Sequence, residues 1–239
     1  MISLVIPCFN EEKNLETIFL KCKAIAKKID LELVIVNNGS TDLTHELISK
    51  KYKKLLTFKY VNVKKNIGYG NGIKQGLKVT TGDYIGWTHA DLQTDLSDII
   101  IVEKIIKSNK KNSDLFIKGL RRGRPLIDNF FTFSMTIIES LIFLTKVNDI
   151  GAQPTIFKRN LLEKINLTHV PDDFLIDLFF YYLAKKFKYN IERFDVIFPE
   201  RIYGVSSWNI NFLSKIFFIM KILRGSIKIR LNYLRNLYD

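Results

Sequence analysis

Apolar and polar residues alternate in a regular order along the first hundred residues of this chain. The short apolar runs typical of buried strands are at residues 2–6, 31–36, 58–63 and 84–88. Apolar residues at helical spacing are found at 15–29, 43–54 and 73–79. Because strands that alternate with helices form parallel sheets with right-handed crossovers, the pattern predicts an α/β fold. Ligands of such sheets bind at the carboxyl ends of the strands.

The second half of the chain has a looser pattern. Its predicted elements are a helix at 97–107, a strand at 114–119, an apolar-rich stretch at 128–145, a helix at 174–186 and a strand at 191–197. No linker divides these elements from the first half. We therefore predict one domain over residues 1–208, followed by a separate helix within residues 209–239.

Composition narrows the class of protein. Among 239 residues, 47% are hydrophobic and 26% are charged, which is typical of a globular chain. Cys8 and Cys22 have neither a disulfide framework nor zinc spacing, so they are interpreted as core residues in a reducing cytoplasm. Met1 leads directly into a strand without a signal-peptide pattern, and no apolar run reaches the roughly 18 residues of a membrane span. We expect a protein on the cytoplasmic side.

The net charge of +13 calls for an anionic partner. Residues 209–239 contribute five of these charges and pair a basic side with an apolar side, the pattern of a helix lying on an anionic membrane surface. The apolar stretch at 130–144 is a candidate second surface helix. The alternative is that the C-terminal helix packs on the domain or on a second subunit, in a homo-oligomer. No aromatic stacking platforms indicate a nucleic-acid partner.

The unusual chemistry of the chain follows the four predicted strands of the first half. Since parallel strands end at one edge of a sheet, these four loops should converge. The loops are Pro7-Cys8-Phe9-Asn10-Glu11-Glu12, Asn37-Asn38-Gly39-Ser40-Thr41-Asp42, Asn66-Ile67-Gly68-Tyr69-Gly70-Asn71-Gly72 and His89-Ala90-Asp91-Leu92-Gln93-Thr94-Asp95. The glycines do not have the G-x-G-x-x-G spacing of a dinucleotide site. They either shape a ligand site or only turn the chain.

In order and spacing, these loops together with Thr81-Gly82-Asp83-Tyr84-Ile85 resemble the family 2 glycosyltransferases. That family has the GT-A (Rossmann-like) fold, a mostly parallel sheet flanked by helices, and the pattern is most similar to dolichyl- and polyprenyl-phosphate sugar synthases. The resemblance implies inverting, metal-dependent transfer of a sugar from a nucleoside diphosphate sugar to a polyprenyl phosphate. It assigns residues 1–100 to the nucleotide sugar and 101–208 to the acceptor.

The resemblance implies a Mg²⁺ or Mn²⁺ site at Asp91, with Gln93 as an additional contact. An oxygen-ligated divalent ion suits the leaving diphosphate. Where the family has a second acidic residue this chain has His89, which either ligates Mn²⁺ through its imidazole or is a hydrogen-bonded structural residue. Asp95 is expected to cap the helix at 97–107 rather than to bind metal.

Asn37 and Asn38 replace the aspartate pair with which the family contacts the nucleobase. An amide both donates and accepts, so base recognition survives, while the missing carboxylate favours UDP or CDP over GDP. Asn10 and Asp42 each have a second interpretation as helix caps. The sugar-donor contacts implied by the resemblance are Pro7, Asn10, Glu12, Asn38, Asp42, Gly68, Gly70 and Asp91.

For the acceptor phosphate, the resemblance implies Arg121, Ser134 and Arg201, although the arginine expected shortly before Ser134 is absent. Guanidinium groups bind phosphate through paired hydrogen bonds. If the acceptor were instead a hydroxyl of a surface glycan, it would need a general base, for which Asp173 and Asp177 are candidates. Asp173 could equally cap a helix. A third hypothesis is a non-catalytic membrane- or nucleic-acid-binding module that has lost catalysis, based on the departures from the family pattern at His89 and Asn37-Asn38.

Overall fold

The computed structural model describes residues 1–55, 57–109, 114–123, 126–199 and 212–234. Its centre is a seven-stranded sheet in the order β3-β2-β1-β4-β6-β5-β7. The strands are β1 (Ile2–Cys8), β2 (Leu31–Asn38), β3 (Lys59–Val63), β4 (Tyr84–Trp87), β5 (Leu115–Arg122), β6 (Thr155–Lys158) and β7 (Asn190–Ile197). The helices are α1 (Leu15–Ala26), α2 (Thr44–Glu46), α3 (Tyr69–Leu77), α4 (Asp98–Ser108), α5 (Leu126–Phe143), α6 (Asn160–Glu163), α7 (Leu175–Lys186) and α8 (Phe212–Leu234).

Strand β1 lies at the centre of the first half and is buried along its whole length, as its mostly apolar sequence predicts. It pairs in parallel with β2 and β4, and β2 pairs in parallel with β3. Successive side chains of β1 enter opposite cores, Val5 on one face of the sheet and Leu4 and Ile6 on the other. Helices cover both faces, which confirms the predicted α/β architecture.

The second half makes the sheet mixed. Strand β6 runs antiparallel to both β4 and β5, whereas β5 and β7 pair in parallel. Because β6 lies between β4 and β5, the two halves share one continuous sheet. The sheet therefore remains mostly parallel, as expected.

Several predicted boundaries differ from the structure. The helix expected over 43–54 is α-helical only at Thr44–Glu46 and continues as a π turn at Leu47–Lys51 and a 3₁₀ turn at Tyr52–Lys54. Helix α3 begins at Tyr69, inside the glycine-rich loop. Strand β5 extends to Arg122, so Arg121 lies within the strand, beyond the predicted end at residue 119.

Helix α8 packs against α7 and α5 through one face. Ile222 and Ile229 are buried, and Gly225 approaches Leu175 so closely that an added Cβ would meet its Cδ1 at 2.0 Å. Phe217 on another face is 73% exposed. Within the described residues, no helix is long and apolar enough to cross a bilayer.

Candidate active site

The loops after β1 and β2 are joined to each other by side-chain hydrogen bonds. The Oδ1 atom of Asn10 accepts the backbone N–H of Thr41 at 2.8 Å, and Oε2 of Glu12 accepts that of Leu43 at 3.0 Å. Asn10 was expected to cap the first helix, which is wrong: α1 begins at Leu15, and Asn10 has a φ of 57°. Its amide oxygen instead joins the two loops through Thr41.

Asp42 has the capping role that was one of its two interpretations. Its Oδ1 accepts the backbone N–H of Thr44 at 3.0 Å, and its Oδ2 accepts that of Glu12 at 3.2 Å. Asp95 likewise accepts the backbone N–H of Ser97 at 3.0 Å, just before α4. Both carboxylates therefore stabilise helix starts, as Asp and Ser side chains commonly do.

Asn38 lies at the end of β2 with half of its amide engaged. Its Nδ2 donates to the carbonyl of Gly68 at 3.0 Å, while its Oδ1 is buried without a hydrogen-bond partner among the described residues. Asn37 is engaged at both ends, with Asn62 and with the N–H of Ser40. A buried amide oxygen without a partner is destabilising, so Asn38 Oδ1 is the better placed of the two to accept from a ligand.

The glycines of the third loop allow another backbone to approach. An added Cβ at Gly68 would lie 2.2 Å from the carbonyl oxygen of Asp172, and one at Gly70 would lie 2.4 Å from that of Pro171. The N–H of Asn71 donates to the same Asp172 oxygen at 3.0 Å. Only glycine fits at these two positions. The loop between α6 and α7 is thus held directly against the glycine-rich loop, a contact that the sequence did not predict.

Asp91 lies at the carboxyl end of β4 and is only 7% exposed. Its Oδ1 accepts the backbone N–H of Gln93 at 3.1 Å, and Nε2 of Gln93 donates to the carbonyl of Pro199 at 3.1 Å. The described residues contain no cluster of three or more His, Cys, Asp and Glu side chains able to cage a metal. One carboxylate nevertheless suits Mg²⁺ or Mn²⁺, because such ions take much of their coordination from substrate phosphates and water.

His89 belongs to an aromatic stack beside Asp91. Its ring lies 5.2 Å from that of Tyr69, whose other stacking partner is Phe174 at 5.1 Å. The Tyr69 hydroxyl is buried with no hydrogen-bond partner in the structure as described. Burial, followed by the negative charges of Asp177 and Asp91, raises the pKa of Tyr69 well above its usual value. The Tyr69 side chain is therefore near two of the predicted catalytic carboxylates, Asp177 and Asp91.

Asp173 and Asp177, the two candidate bases, are both engaged. Asp173 accepts the N–H of Leu175 at 3.1 Å, the capping alternative, and lies 3.0 Å from the Nζ of Lys221 on α8. Asp177 is buried in α7, where its Oδ1 accepts from Lys118 Nζ at 2.8 Å and from Gln153 Nε2 at 2.7 Å. Lys118 has no exposed surface, and its burial lowers its pKa to about 8 although Asp177 opposes that shift.

Arg121 forms an ion pair with Asp149, which precedes β6. Asp149 accepts the backbone N–H and the Nε–H of Arg121, each at 2.8 Å. Burial alone would raise the pKa of Asp149, but the hydrogen bonds and charge of Arg121 hold it below its usual value. Ser134 is half-buried on α5, and Arg201 lies outside the described residues.

The family model described as glycosyl transferase family 2 matches residues 3–165, more than half of the chain. The chain belongs to glycosyl transferase family 2. This membership confirms the resemblance found in its loops.

The relatives of this family 2 chain include dolichyl-phosphate beta-glucosyltransferases. One from Dictyostelium discoideum is 24% identical over 83% of this chain and 66% of its own length. Another, ALG5A from Trichomonas vaginalis, is 35% identical over 62% of this chain and 49% of its own. An undecaprenyl-phosphate 4-deoxy-4-formamido-L-arabinose transferase from Photorhabdus laumondii is 25% identical over 87% of this chain and 63% of its own length. The chain therefore spans between 49% and 66% of the length of these relatives.

Among solved structures, this family 2 chain resembles glucosyl-3-phosphoglycerate synthase from Mycobacterium tuberculosis. A complex of that protein with Mn²⁺, UDP and glucosyl-3-phosphoglycerate superposes with a TM-score of 0.71 at 16% identity, covering 96% of this chain and 79% of the other. The similarity confirms the GT-A fold.

Sequence reasoning missed the buried polar residues of the second half. Lys118 continues an apolar strand, and a lysine inside such a run is a signal of a buried partner. The other missed residues had no local signal, because their partners lie in distant elements. They are Asp149, Gln153 and Arg193.

Proposed function

We propose that this chain is an inverting, metal-dependent glycosyltransferase that moves a sugar from a nucleoside diphosphate sugar to a polyprenyl phosphate at a membrane surface. The observation that carries the acceptor part is a set of buried and half-buried charges with a positive surplus. Lys118, Arg121 and Arg193 are cationic, and among the described residues the carboxylates that oppose them are Asp149 and Asp177. Because the cations outnumber the carboxylates, this set is suited to an anionic group of the substrate.

The engagement of Asp177 supports a phosphate acceptor over a hydroxyl acceptor. A hydroxyl must lose a proton to a general base during the reaction, whereas a phosphate is already anionic near neutral pH. Asp177 Oδ1 is occupied by Lys118, Gln153 and Thr155, and Asp173 is occupied by Leu175 and Lys221. Both carboxylates are thus held by groups of the protein itself, which favours the phosphate acceptor in this proposal.

The sugar donor binds, in this proposal, at the edge formed by the loops after β1, β2 and β4. Asn38 Oδ1 supplies an acceptor for an N–H of the nucleobase, and the uridine diphosphate held by the mycobacterial protein of the same fold supports a UDP sugar. Asn10, Glu12 and Asp42 shape this edge through the bonds that join the first two loops.

Asp91 would hold a Mg²⁺ or Mn²⁺ ion, with Gln93 and His89 as neighbouring candidates. When bound, such an ion neutralises the charge that develops on the leaving diphosphate. Asp91 is suited to this task because it is fixed by the N–H of Gln93 and shielded from bulk water.

In the reaction, an oxygen of the acceptor phosphate forms the new bond to the anomeric carbon of the sugar. The bond from that carbon to the diphosphate oxygen breaks, and the nucleoside diphosphate leaves with the electron pair. Arg121 holds the attacking phosphate through hydrogen bonds, which converts an encounter in solution into an oriented approach. The anomeric configuration inverts because the two oxygens lie on opposite sides of the carbon.

Helices α5 and α8 supply the surface that would lie on the membrane. Leu141 and Phe217 are 69% and 73% exposed, and Lys221, Arg224 and Lys228 are exposed on α8. Apolar side chains beside basic ones favour the headgroup region of an anionic bilayer. This placement would bring the acceptor half towards a lipid-linked substrate.

The proposal is tested by incubating the protein with a panel of nucleotide sugars, Mn²⁺ and a short polyprenyl phosphate, followed by mass measurement of the lipid. We expect a polyprenyl phosphate sugar from a UDP or CDP sugar, and none after chelation of the metal. A product formed only when a glycan hydroxyl is offered would replace the phosphate acceptor with a hydroxyl acceptor. No transfer to any acceptor would leave only a binding role.

A further inference from the structure

We propose that Asp149 is a positioning residue that orients the guanidinium of Arg121 towards the acceptor phosphate. The inference rests on the proposed function, since it explains how the acceptor arginine is held. We expect neither residue to affect binding of the sugar donor, which in the proposed function binds at the edge formed by the first four strands.

The contacts between the two residues fix three groups of Arg121 at once. Asp149 Oδ2 accepts the backbone N–H at 2.8 Å, and Oδ1 accepts the Nε–H at 2.8 Å and an N–H of Nη2. A guanidinium has five N–H groups in a rigid plane. Asp149 binds along the Nε and Nη2 side of that plane, so the two N–H groups of Nη1 and the second of Nη2 are directed away from it. These are the groups that a phosphate can bind in the paired manner typical of arginine.

The surroundings of the guanidinium are consistent with a binding role. The ring of Phe198 stacks with it, with 5.2 Å between the ring centroid and Cζ of Arg121. Gly151 lies beside the two terminal nitrogens, where an added Cβ would be 3.5 Å from Nη2 and 3.7 Å from Nη1. Because Gly151 has no side chain and is itself exposed, this side of the guanidinium is not covered by residue 151.

Asp149 is in turn held by Arg193 on β7. Nη1 of Arg193 donates to the carbonyl of Asn148 at 2.7 Å, and Nη2 donates to the carbonyl of Asp149 at 3.3 Å. Asp149 has a φ of 40°, a region that residues other than glycine seldom adopt. Such a conformation persists only where the surroundings enforce it. Here the hydrogen bonds from Arg193 to two consecutive carbonyls stabilise it. Strand β7 thereby fixes the acceptor arginine of β5 through Asp149.

The test compares Asp149→Asn with Asp195→Asn. Asp195 is a matched control because this residue of β7 forms an exposed ion pair with Arg122, the neighbour of Arg121 on β5. With the polyprenyl phosphate and the UDP sugar varied separately, Asp149→Asn should raise the acceptor KM by about tenfold or more, as expected for loss of a charge-assisted contact. The KM for the sugar donor should stay unchanged, and Asp195→Asn should change neither value.

A double variant separates positioning from a structural role. If Asp149 acts through Arg121, then Arg121→Ala and the combined Arg121→Ala, Asp149→Asn variant should have the same acceptor KM. A further increase in the acceptor KM of the double variant would overturn the positioning role of Asp149. So would an unchanged acceptor KM in Asp149→Asn when Arg121→Ala raises it. In both cases the proposed function itself would stand. An unchanged acceptor KM in Arg121→Ala would overturn the phosphate acceptor site, and this inference with it.

If Asp149→Asn does not fold, Arg193→Lys performs the same test. Lysine keeps the charge, but its single ammonium cannot reproduce the planar two-nitrogen contact with both carbonyls. We expect an increase of roughly threefold in the acceptor KM, smaller than for Asp149→Asn because the ion pair with Arg121 remains. An acceptor KM equal to that of the unmodified protein would contradict the role of Arg193 and the positioning chain.

Discussion

The two halves of the sheet hold their polar residues in different ways. In the first half, the loops after β1 and β2 are joined by hydrogen bonds between side chains and backbone N–H groups, such as those of Asn10 and Glu12. In the second half, buried ion pairs link separate elements, as in Lys118 with Asp177 and Arg121 with Asp149. In our proposal, the first arrangement forms the edge at which the nucleotide sugar binds. The second gives a positive surplus that we propose binds the acceptor phosphate.

The largest effect is expected from Asp91→Ala, which removes the carboxylate proposed to hold the metal. We predict a loss of about 10³-fold or more in kcat, since electrostatic stabilisation of developing charge usually lowers the reaction barrier more than any other single effect. The rate is measured at saturating sugar donor and acceptor over a range of Mn²⁺ concentrations. Asp95→Asn is the control. Asp95 lies in the same loop as Asp91, but it caps α4 and pairs with Lys21 of α1.

Retention of metal-dependent transfer by Asp91→Ala would show that the metal binds elsewhere. The edge of the first half would then no longer have the metal-binding role that distinguishes it from the second half in this account.

The next effect concerns the second half and its stability. Lys118→Met leaves Asp177 buried without its cation, which should lower the free energy of unfolding by about 3–5 kcal/mol. Urea denaturation measures this change. The combined Lys118→Met, Asp177→Leu variant should recover much of it, because no buried charge then remains. Equal destabilisation in both variants would mean that packing, and not charge, dominates at this site.

A smaller effect is expected at the surface of α8. Phe217→Glu replaces an exposed apolar side chain with a charge and should weaken binding to anionic vesicles by about tenfold or more, because it removes the roughly 1.5–3 kcal/mol gained when a large apolar side chain is buried. Co-sedimentation with vesicles containing phosphatidylserine measures it. Leu20→Glu is the control, since Leu20 is an exposed apolar residue on α1. Equal loss in both variants would remove the membrane assignment from α8.

The smallest effect concerns an ion pair in the first half that we expect to contribute to stability and not to activity. Glu32, at the opposite edge of β2, accepts from Ser3, Thr81 and Lys59. Burial would raise its pKa, but these contacts lower it to about 2 from 4.5. Because the folded-state pKa is depressed, the stabilisation is present above pH 4.5 and is lost as the pH falls towards 2.

Glu32→Gln should therefore lower the free energy of unfolding at pH 7 by about 1–2 kcal/mol, with a much smaller difference from the unmodified protein near pH 2.5. Thermal unfolding at several pH values measures this dependence. Activity at pH 7 should be unchanged, since Glu32 lies away from the carboxyl edge. A difference in stability that does not vary with pH would contradict the charged role of Glu32.

The candidate site of the first half could be predicted from sequence because its residues lie in short segments that directly follow the strands. Asn10 and Glu12, or Asp91 and Gln93, follow strands that the apolar pattern locates directly, so their common edge follows from parallel topology. The cap assigned to Asn10 was wrong because a contact with Thr41, distant in sequence, determines its conformation. Local pattern contains no information about such a contact.

The second half could be predicted less well because its charged residues have partners in distant elements. Lys118 and Asp177 are separated by 59 positions, and Arg121 and Asp149 by 28. Nothing in the spacing of these residues indicates that they pair, and only the order of β6, β5 and β7 in the sheet brings them together. Arg121 was assigned through family resemblance, which did not indicate its contact with Asp149.

The most direct test of the central claim is a competition between two lipid acceptors in one reaction. Polyprenyl phosphate and the matching polyprenol are supplied at equal concentration with a UDP sugar and Mn²⁺, and both products are measured by mass. The positive surplus around Arg121 predicts that nearly all sugar is transferred to the phosphate, and that Arg121→Ala reduces this preference. Predominant transfer to the alcohol, or a preference that Arg121→Ala leaves unchanged, would contradict a phosphate acceptor site in the second half of the sheet.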